Sequence, residues 1–194
     1  MTVHRLVRAL LAAGLTDSVL DLLTNPGQPG WARLLESGAS FTWEAWEMVE
    51  GTDYSQSHAW SASVLKEILE YLLGVRTTVP GGRELLIEPP VCRLVHATGS
   101  VPLSNGYAAV SWRRTPGGIQ LECTVPAGVT ATVRLPEGAY AIQGPATEQA
   151  NGGSGLERAA NVGQGGSSGT ADGDATRDFR IHSGTWTFTP FGQS

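Results

Sequence analysis

The spacing of apolar residues changes once along the chain, at Gly74, and this change limits the fold more than any other feature of the sequence. Before Gly74, apolar residues recur at i, i+3, i+4 and i+7, the pattern of amphipathic helices. After it, they alternate with polar residues, as in strands with one buried face. The pattern predicts helices over 2–13, 17–24, 29–37 and 58–73, and strands over 84–87, 91–95, 107–113, 119–125 and 130–135. The strand pattern resumes over 179–188, with a turn at Ser183-Gly184. We therefore expect an α+β chain in two segments, with helices over 1–74 and an antiparallel β-sandwich over 75–194.

Polar residues and glycines mark the expected helix ends. Thr16 and Ser57 stand where a side chain caps the first turn of a helix, and Gly38 stands where a helix ends. The apolar stripe of the last helix leaves Glu67 and Glu70 on its polar side.

The charge of the chain is low and unevenly placed. Charged residues make up 16% of the chain, and the net charge of −5 falls entirely within residues 1–75. This excludes a largely disordered chain and a nucleic-acid binder that depends on phosphate neutralisation. No apolar run is long enough to span a bilayer, and His4, Arg5 and Arg8 interrupt the apolar N-terminal stretch. We thus expect neither a membrane segment nor a signal peptide in these residues, and the compartment stays open.

Residues 150–175 interrupt the strand pattern. Eight of these 26 residues are glycine and none is aromatic, so the segment predicts a flexible insertion within the sandwich. The two cysteines, Cys92 and Cys123, do not make a disulfide framework, and we expect both to be free thiols buried in the sandwich core.

Tryptophans and carboxylates are concentrated near the N-terminus. Four of the six tryptophans lie within the first 60 residues, and they surround Glu36, Glu44, Glu47, Glu50, Asp53 and His58. Sugar rings stack on aromatic faces, and carboxylates accept hydroxyl protons or activate water, so this composition suits a sugar site. A helical core with solvated acids on its outer face explains the same composition. The composition alone leaves both interpretations open.

Several segments resemble parts of α-L-rhamnosidases. Residues 38–46, Gly-Ala-Ser-Phe-Thr-Trp-Glu-Ala-Trp, resemble the Gly-Ala-Thr-Thr-x-Trp-Glu-x-Trp segment of that family. Residues 57–62, Ser-His-Ala-Trp-Ser-Ala, resemble its Ser-His-Gly-Trp-Ser-Ala helix start. Further similar segments are 72–76, 80–82, 125–136 and 183–188.

This resemblance implies a fold. The family has an (α/α)6 barrel of six helical hairpins followed by an antiparallel β-sandwich. The helices over 1–74 would then be the last ones of an incomplete barrel, because twelve helices are needed and about four are predicted. The general acid of the family lies in a segment upstream of the residues matched here.

The resemblance also implies an activity and a site. The family hydrolyses terminal α-L-rhamnosides with inversion, and Glu44 occupies the place of its general base. Trp43, Trp46, His58 and Trp60 would bind the terminal L-rhamnose, without metal or cofactor. We expect little activity from the 194 residues alone, and either self-association or a partner in the form of an N-terminal barrel portion. The alternative is a module that binds carbohydrate or another protein without catalysis.

Overall fold

The computed structural model of the chain describes residues 3–48, 50–145 and 175–191. These residues form two compact units. The first holds the chain up to Leu72 together with Pro90–Arg93, and the second holds Leu73–Pro89 and the chain from Leu94 onward. The predicted domain limits, 1–74 and 75–194, stay a prediction. The predicted insertion at 150–175 lies outside the described residues, apart from Ala175.

The first unit is helical. Its helices are α1 (Val3–Ala12), α2 (Thr16–Thr24), α3 (Trp31–Glu36) and α4 (Ser63–Glu67). A 3-10 turn, Ala59–Ala62, precedes α4, and a π-helical turn, Ile68–Leu72, follows it. The buried apolar side chains of these helical elements are Val7, Leu11, Val19, Leu20, Leu34, Val64 and Leu72. Leu6 and Leu65, which belong to the apolar stripes predicted from the sequence, are instead 50% and 58% exposed.

The helix ends differ in part from expectation. Gly38 ends α3 as predicted: its φ is +82°, and Ala39 N–H donates to the Leu34 carbonyl at 3.0 Å, as in a Schellman motif. The predicted caps at Thr16 and Ser57 are wrong. Thr16 lies inside α2 and is buried, and His58 rather than Ser57 precedes the 3-10 turn.

Glu67 corrects another expectation. The predicted polar-side position is wrong, because Glu67 is only 5% exposed. Its Oε1 accepts a hydrogen bond from Nη1 of Arg8 at 3.0 Å, so an ion pair between α1 and α4 compensates the buried charge. The helical period alone does not foresee this partner, which lies 59 residues away.

The second unit consists of two sheets. One has four strands in the order β1-β2-β6-β8, and the other has five in the order β3-β4-β5-β9-β7. All pairs are antiparallel except β2 with β6, which is parallel. The strands are β1 (Val75–Thr77), β2 (Glu84–Ile87), β3 (His96–Leu103), β4 (Gly106–Thr115), β5 (Gly118–Val125), β6 (Thr130–Pro136), β7 (Tyr140–Gln143), β8 (Thr176–Ile181) and β9 (Gly184–Pro190).

The alternating pattern predicts β2, β4, β5 and β6 well, but the strand expected over Val91–Val95 is wrong. Val91 and Val95 are 69% and 63% exposed, and the strand begins only at His96. Asp17 Oδ1 accepts a hydrogen bond from the Arg93 backbone N–H at 2.8 Å, which holds this stretch to the helical unit. Cys92 therefore lies outside the sandwich core, whereas Cys123 is buried within it, and both are free thiols.

Charged side chains pair across the outer face of the four-stranded sheet. Arg134 on β6 lies directly opposite Asp178 on β8 and donates two hydrogen bonds to its carboxylate, each 2.8 Å long. Arg134 also lies 3.6 Å from Glu88, the residue after β2, and Glu88 pairs with Arg76 on β1. The Arg134 guanidinium holds the pKa of the Asp178 carboxyl below its usual value through this hydrogen bonding.

We expect Asp178→Asn to lower the free energy of unfolding by about 0.5–1 kcal/mol at pH 7, since this pair is partly solvated. A lowered pKa in the folded state stabilises the fold above the unfolded pKa of about 3.9, and this stabilisation is lost as the pH falls through the folded value. Urea unfolding at pH 7, 5 and 3 should therefore show the difference from the parent chain shrinking toward zero at the lowest pH. The exposed Asp53→Asn serves as a control, and a constant difference at every pH would contradict the expectation.

Candidate functional site

Glu44 lies between α3 and the 3-10 turn, where the described residues 40–48 and 50–58 are irregular. Backbone hydrogen bonds tie the two ends of this segment together. Glu44 N–H donates to the Ser55 carbonyl at 2.8 Å, and His58 N–H donates to the Thr42 carbonyl at 2.7 Å. The hydroxyl of Thr42 returns a hydrogen bond to the His58 carbonyl at 3.0 Å. The segment is thus fixed at Thr42 and Glu44 without belonging to a helix or strand.

These hydrogen bonds bring Glu44 and His58 together from 14 positions apart in the sequence. Oε2 of Glu44 accepts a hydrogen bond from the Ser55 N–H at 3.0 Å and lies 3.9 Å from Nδ1 of His58. The side chains are 30% and 18% exposed, so both are partly shielded and both reach solvent. Oε1 of Glu44 takes part in neither contact.

The four tryptophans of this unit fall into separate groups. Trp60 packs edge-on against the His58 ring, with centroids 5.7 Å apart, and is 62% exposed. Trp46 instead packs edge-on against Trp31 at 4.8 Å, half-buried. Trp43 is half-buried, and none of the ring pairs among the described residues includes it. The geometry therefore joins Glu44, His58 and Trp60, whereas Trp46 has a packing partner of its own.

The arrangement has a definite chemical capacity. A carboxylate held by a backbone N–H is oriented, and an oriented carboxylate accepts a proton from water or from a sugar hydroxyl. The neighbouring imidazole adds a hydrogen-bonding group, and the exposed indole adds an apolar face. No sequence pattern indicates the positioning roles of Thr42 and Ser55, because both residues act through hydrogen bonds that form only in the folded segment.

Two further properties concern ligands and membranes. Within residues 3–48, 50–145 and 175–191, no group of three or more His, Cys, Asp or Glu side chains is placed to hold a metal ion. None of the helices in the same described residues has the length and apolar character required to cross a membrane.

We expect Glu44→Ala to loosen residues 42–58, since it removes the acceptor for the Ser55 N–H. Loss of one such hydrogen bond to a carboxylate costs about 1.5–3 kcal/mol, so exchange of the Ser55 amide should accelerate about tenfold or more. Hydrogen exchange followed by NMR measures this rate. Glu44→Gln keeps an oxygen acceptor and should leave the rate close to that of the parent chain, and equal acceleration in both variants would contradict the positioning described here.

Comparison with known protein families matches both segments. Residues 1–72 match the bacterial alpha-L-rhamnosidase 6 hairpin glycosidase domain, and residues 74–149 match the bacterial alpha-L-rhamnosidase C-terminal domain. The strands β8 and β9, which complete both sheets, lie beyond the second match.

Individual relatives agree with these matches. An alpha-L-rhamnosidase of Alteromonas sp. (strain LOR) is 32% identical over 145 residues, which are 71% of this chain and 16% of the relative. The crystal structure of Streptomyces avermitilis alpha-L-rhamnosidase complexed with L-rhamnose has a TM-score of 0.72 and 21% identity, over 95% of this chain and 17% of that one. A rhamnosidase of Bacillus sp. GL1 is 30% identical with a TM-score of 0.54, over 65% of this chain and 14% of its own.

The chain thus spans about a sixth of the length of the relatives that it matches. Its two segments, matched in order to two successive domains of one family, place the chain in the family of bacterial α-L-rhamnosidases.

Proposed function

We propose that this chain forms part of an inverting glycoside hydrolase that cleaves terminal α-L-rhamnosides, with Glu44 as the general base. The observation that carries the proposal is the orientation of the Glu44 carboxylate. Its Oε2 accepts a hydrogen bond from the Ser55 N–H and lies 3.9 Å from Nδ1 of His58. In an inverting mechanism, one carboxylate deprotonates water while a carboxylic acid on the other face of the sugar protonates the leaving oxygen. Glu44 takes the first role, and a further segment of the glycosidase domain supplies the acid.

The surrounding residues have supporting roles in this proposal. Trp60 offers its exposed ring to the apolar face of L-rhamnose, and His58 binds a hydroxyl while its contact with Trp60 fixes the indole. Trp43 and Trp46 would complete the L-rhamnose site in the full glycosidase domain, with Trp46 held by Trp31. Because the chain spans 16% of its Alteromonas relative, we expect the 194 residues alone to have little or no hydrolase activity.

The test uses the isolated chain and a chimera in which this chain replaces the matching segment of the Alteromonas relative. The isolated chain should show no detectable turnover of an aryl α-L-rhamnoside. The chimera should hydrolyse it, and Glu44→Gln should lower kcat about 10²–10⁴-fold, the usual range for a lost general base. Glu47→Gln is the matched control, because Glu47 lies three residues away, is exposed and accepts a hydrogen bond from Gln28.

Two outcomes would contradict this proposal. If the isolated chain hydrolyses the aryl α-L-rhamnoside and Glu44→Gln abolishes this turnover, then no second segment is required. A chimera that is active and equally affected by Glu44→Gln and Glu47→Gln would remove the specific role of Glu44.

A second candidate function is that of an interaction module, and the exposed apolar side chains of the helical unit favour it. Leu35, Phe41 and Leu65 are 72%, 67% and 58% exposed. Exposed apolar side chains mark a site of protein association where they form one continuous surface, so this candidate function requires the three side chains to lie together. In this case the occupant is a second copy of the chain or an N-terminal barrel portion.

The double variant Leu35→Asp, Leu65→Asp should abolish any concentration-dependent self-association, because it places charges on this apolar surface. Light scattering coupled to size-exclusion chromatography measures the mass. Val95→Asp is the control, since Val95 is 63% exposed and lies in the sandwich unit. A chain that stays monomeric at high concentration would contradict self-association. An immunoblot of the native product with an antibody against the sandwich would separate a longer enzyme from a 20.4 kDa module.

A further inference from the structure

The outer face of the five-stranded sheet carries a polar row in register across all five strands. Its members are Thr98, Ser111, Glu122, Thr187 and Gln143, on β3, β4, β5, β9 and β7 respectively. The opposite face of the same strands is the core, where Trp112, Leu121 and Phe188 are at most 1% exposed. The packing of the apolar core on the opposite face does not by itself explain why hydroxyl, carboxylate and amide groups share one row of this solvent-facing surface.

A depression of about 80 Å³ lies in this surface over β4, β5 and β9. The outward side chains that line it are Ser111, Arg113, Gln120, Glu122 and Thr187. The short side chains of Ser111 and Thr187 make room between the longer ones. The hydroxyl of Ser111 is held in place by that of Thr98, 3.0 Å away.

Two opposite charges border the depression without pairing. Ser111 is opposite Glu122 and Arg113 is opposite Gln120, so Arg113 and Glu122 are diagonal neighbours. Diagonal neighbours lie about 7–8 Å apart at Cα, which is within reach of long side chains. On the other sheet, Arg134 and Asp178 close such a pair at 2.8 Å. Within the described part of the chain, however, neither Arg113 nor Glu122 forms an ion pair.

The chemistry of this gap selects one class of ligand. An anion would satisfy Arg113 and be repelled by Glu122, and a cation would do the reverse. A neutral ligand with adjacent hydroxyl groups satisfies both, because each hydroxyl donates to the carboxylate and accepts from the guanidinium. Ser111, Gln120 and Thr187 add further donors and acceptors of the same kind. We propose that this depression, which we call the sheet site, binds the vicinal hydroxyls of a saccharide.

The sheet site is independent of hydrolysis and of Glu44. It consists of residues of the sandwich unit alone, and no reacting group is required of it. No exposed aromatic ring lines it, since the indole of Trp112 is buried, so binding rests on hydrogen bonds and we expect dissociation constants in the millimolar range.

The test is an NMR titration of the 194-residue chain with methyl α-L-rhamnoside and, separately, methyl α-D-glucoside. Saturable amide shifts at Ser111, Gln120 and Glu122 with either sugar support the proposal, and the ratio of the two affinities identifies the preferred source. Arg113→Gln and Glu122→Gln should each weaken binding about tenfold, as expected when a charged hydrogen-bonding partner is lost. Both are exposed substitutions of similar size, so folding is preserved and is verified in the same spectra.

Two controls separate the sheet site from other effects. Arg180→Gln removes an exposed arginine from the outer face of the four-stranded sheet and should leave the affinity unchanged. As a second control, the affinity is taken only from the amide shifts of Ser111, Gln120 and Glu122 in the sandwich unit, which keeps failure of the proposed catalytic role distinct from failure here. The absence of saturable shifts up to about 100 mM of both sugars, well above the expected range, would overturn the proposal. Equal weakening by Arg180→Gln and Glu122→Gln would also overturn it.

Discussion

The turn at Leu73 and Gly74 is the constraint on which the described fold depends most. Gly74 has a φ of +85°, and a Cβ there would lie 2.2 Å from the carbonyl oxygen of Glu88. Only glycine fits this backbone conformation and this close approach together. The turn is then fixed by two hydrogen bonds: Glu88 N–H donates to the Gly74 carbonyl at 2.8 Å, and the buried indole of Trp112 donates to the Leu73 carbonyl at 3.2 Å. Leu73 and Gly74, where the sequence changes from a helical to an alternating pattern, are thus held by hydrogen bonds to Trp112 of the sandwich core and to Glu88.

The two sheets use their outer faces differently, and strand register explains the difference. Arg134 and Asp178 lie directly opposite each other, so they form an ion pair that joins β6 to β8. This pair matters because, among the described strands, β8 is at the edge of the sheet and is hydrogen-bonded to β6 alone. The diagonal placement of Arg113 and Glu122 leaves both charges available on β4 and β5. Directly opposite charges thus form a stabilising ion pair on the four-stranded sheet. On the five-stranded sheet, a displacement of two residues along the strand leaves the two charges apart on a polar surface.

The sequence predicted the elements that have an apolar pattern of their own. It did not predict the features that depend on residues far away in the chain. The periodic stripes predicted α1, α2, β2, β4, β5 and β6 because each has its own apolar face. β1 and β7 span only three and four residues, too short for a recognisable period. β3 lies at the edge of its sheet, and its inward positions carry Ala97 and Gly99, which are too small to give an alternating apolar signal. Glu67 shows the same limit, since its burial depends on Arg8 in another helix. For the site, resemblance singled out Glu44 and His58, whereas their 3.9 Å approach follows from hydrogen bonds that no motif encodes.

The positioning of the Glu44 carboxylate and its proposed use in catalysis have different structural requirements. Residues 42–58 orient Glu44 through contacts within one short segment, so the orientation needs no other part of a barrel. Catalysis needs more, because a glycosidase pocket excludes bulk water and a second carboxyl group must lie across the sugar ring. In the described helical unit, Glu44 is 30% exposed and Trp60 62% exposed, so bulk water reaches both. The chain covers 17% of the length of the Streptomyces structure that it resembles. The local hydrogen bonds therefore set the direction of the Glu44 carboxylate, and the catalytic role that we propose for it requires further segments that shield it from bulk water.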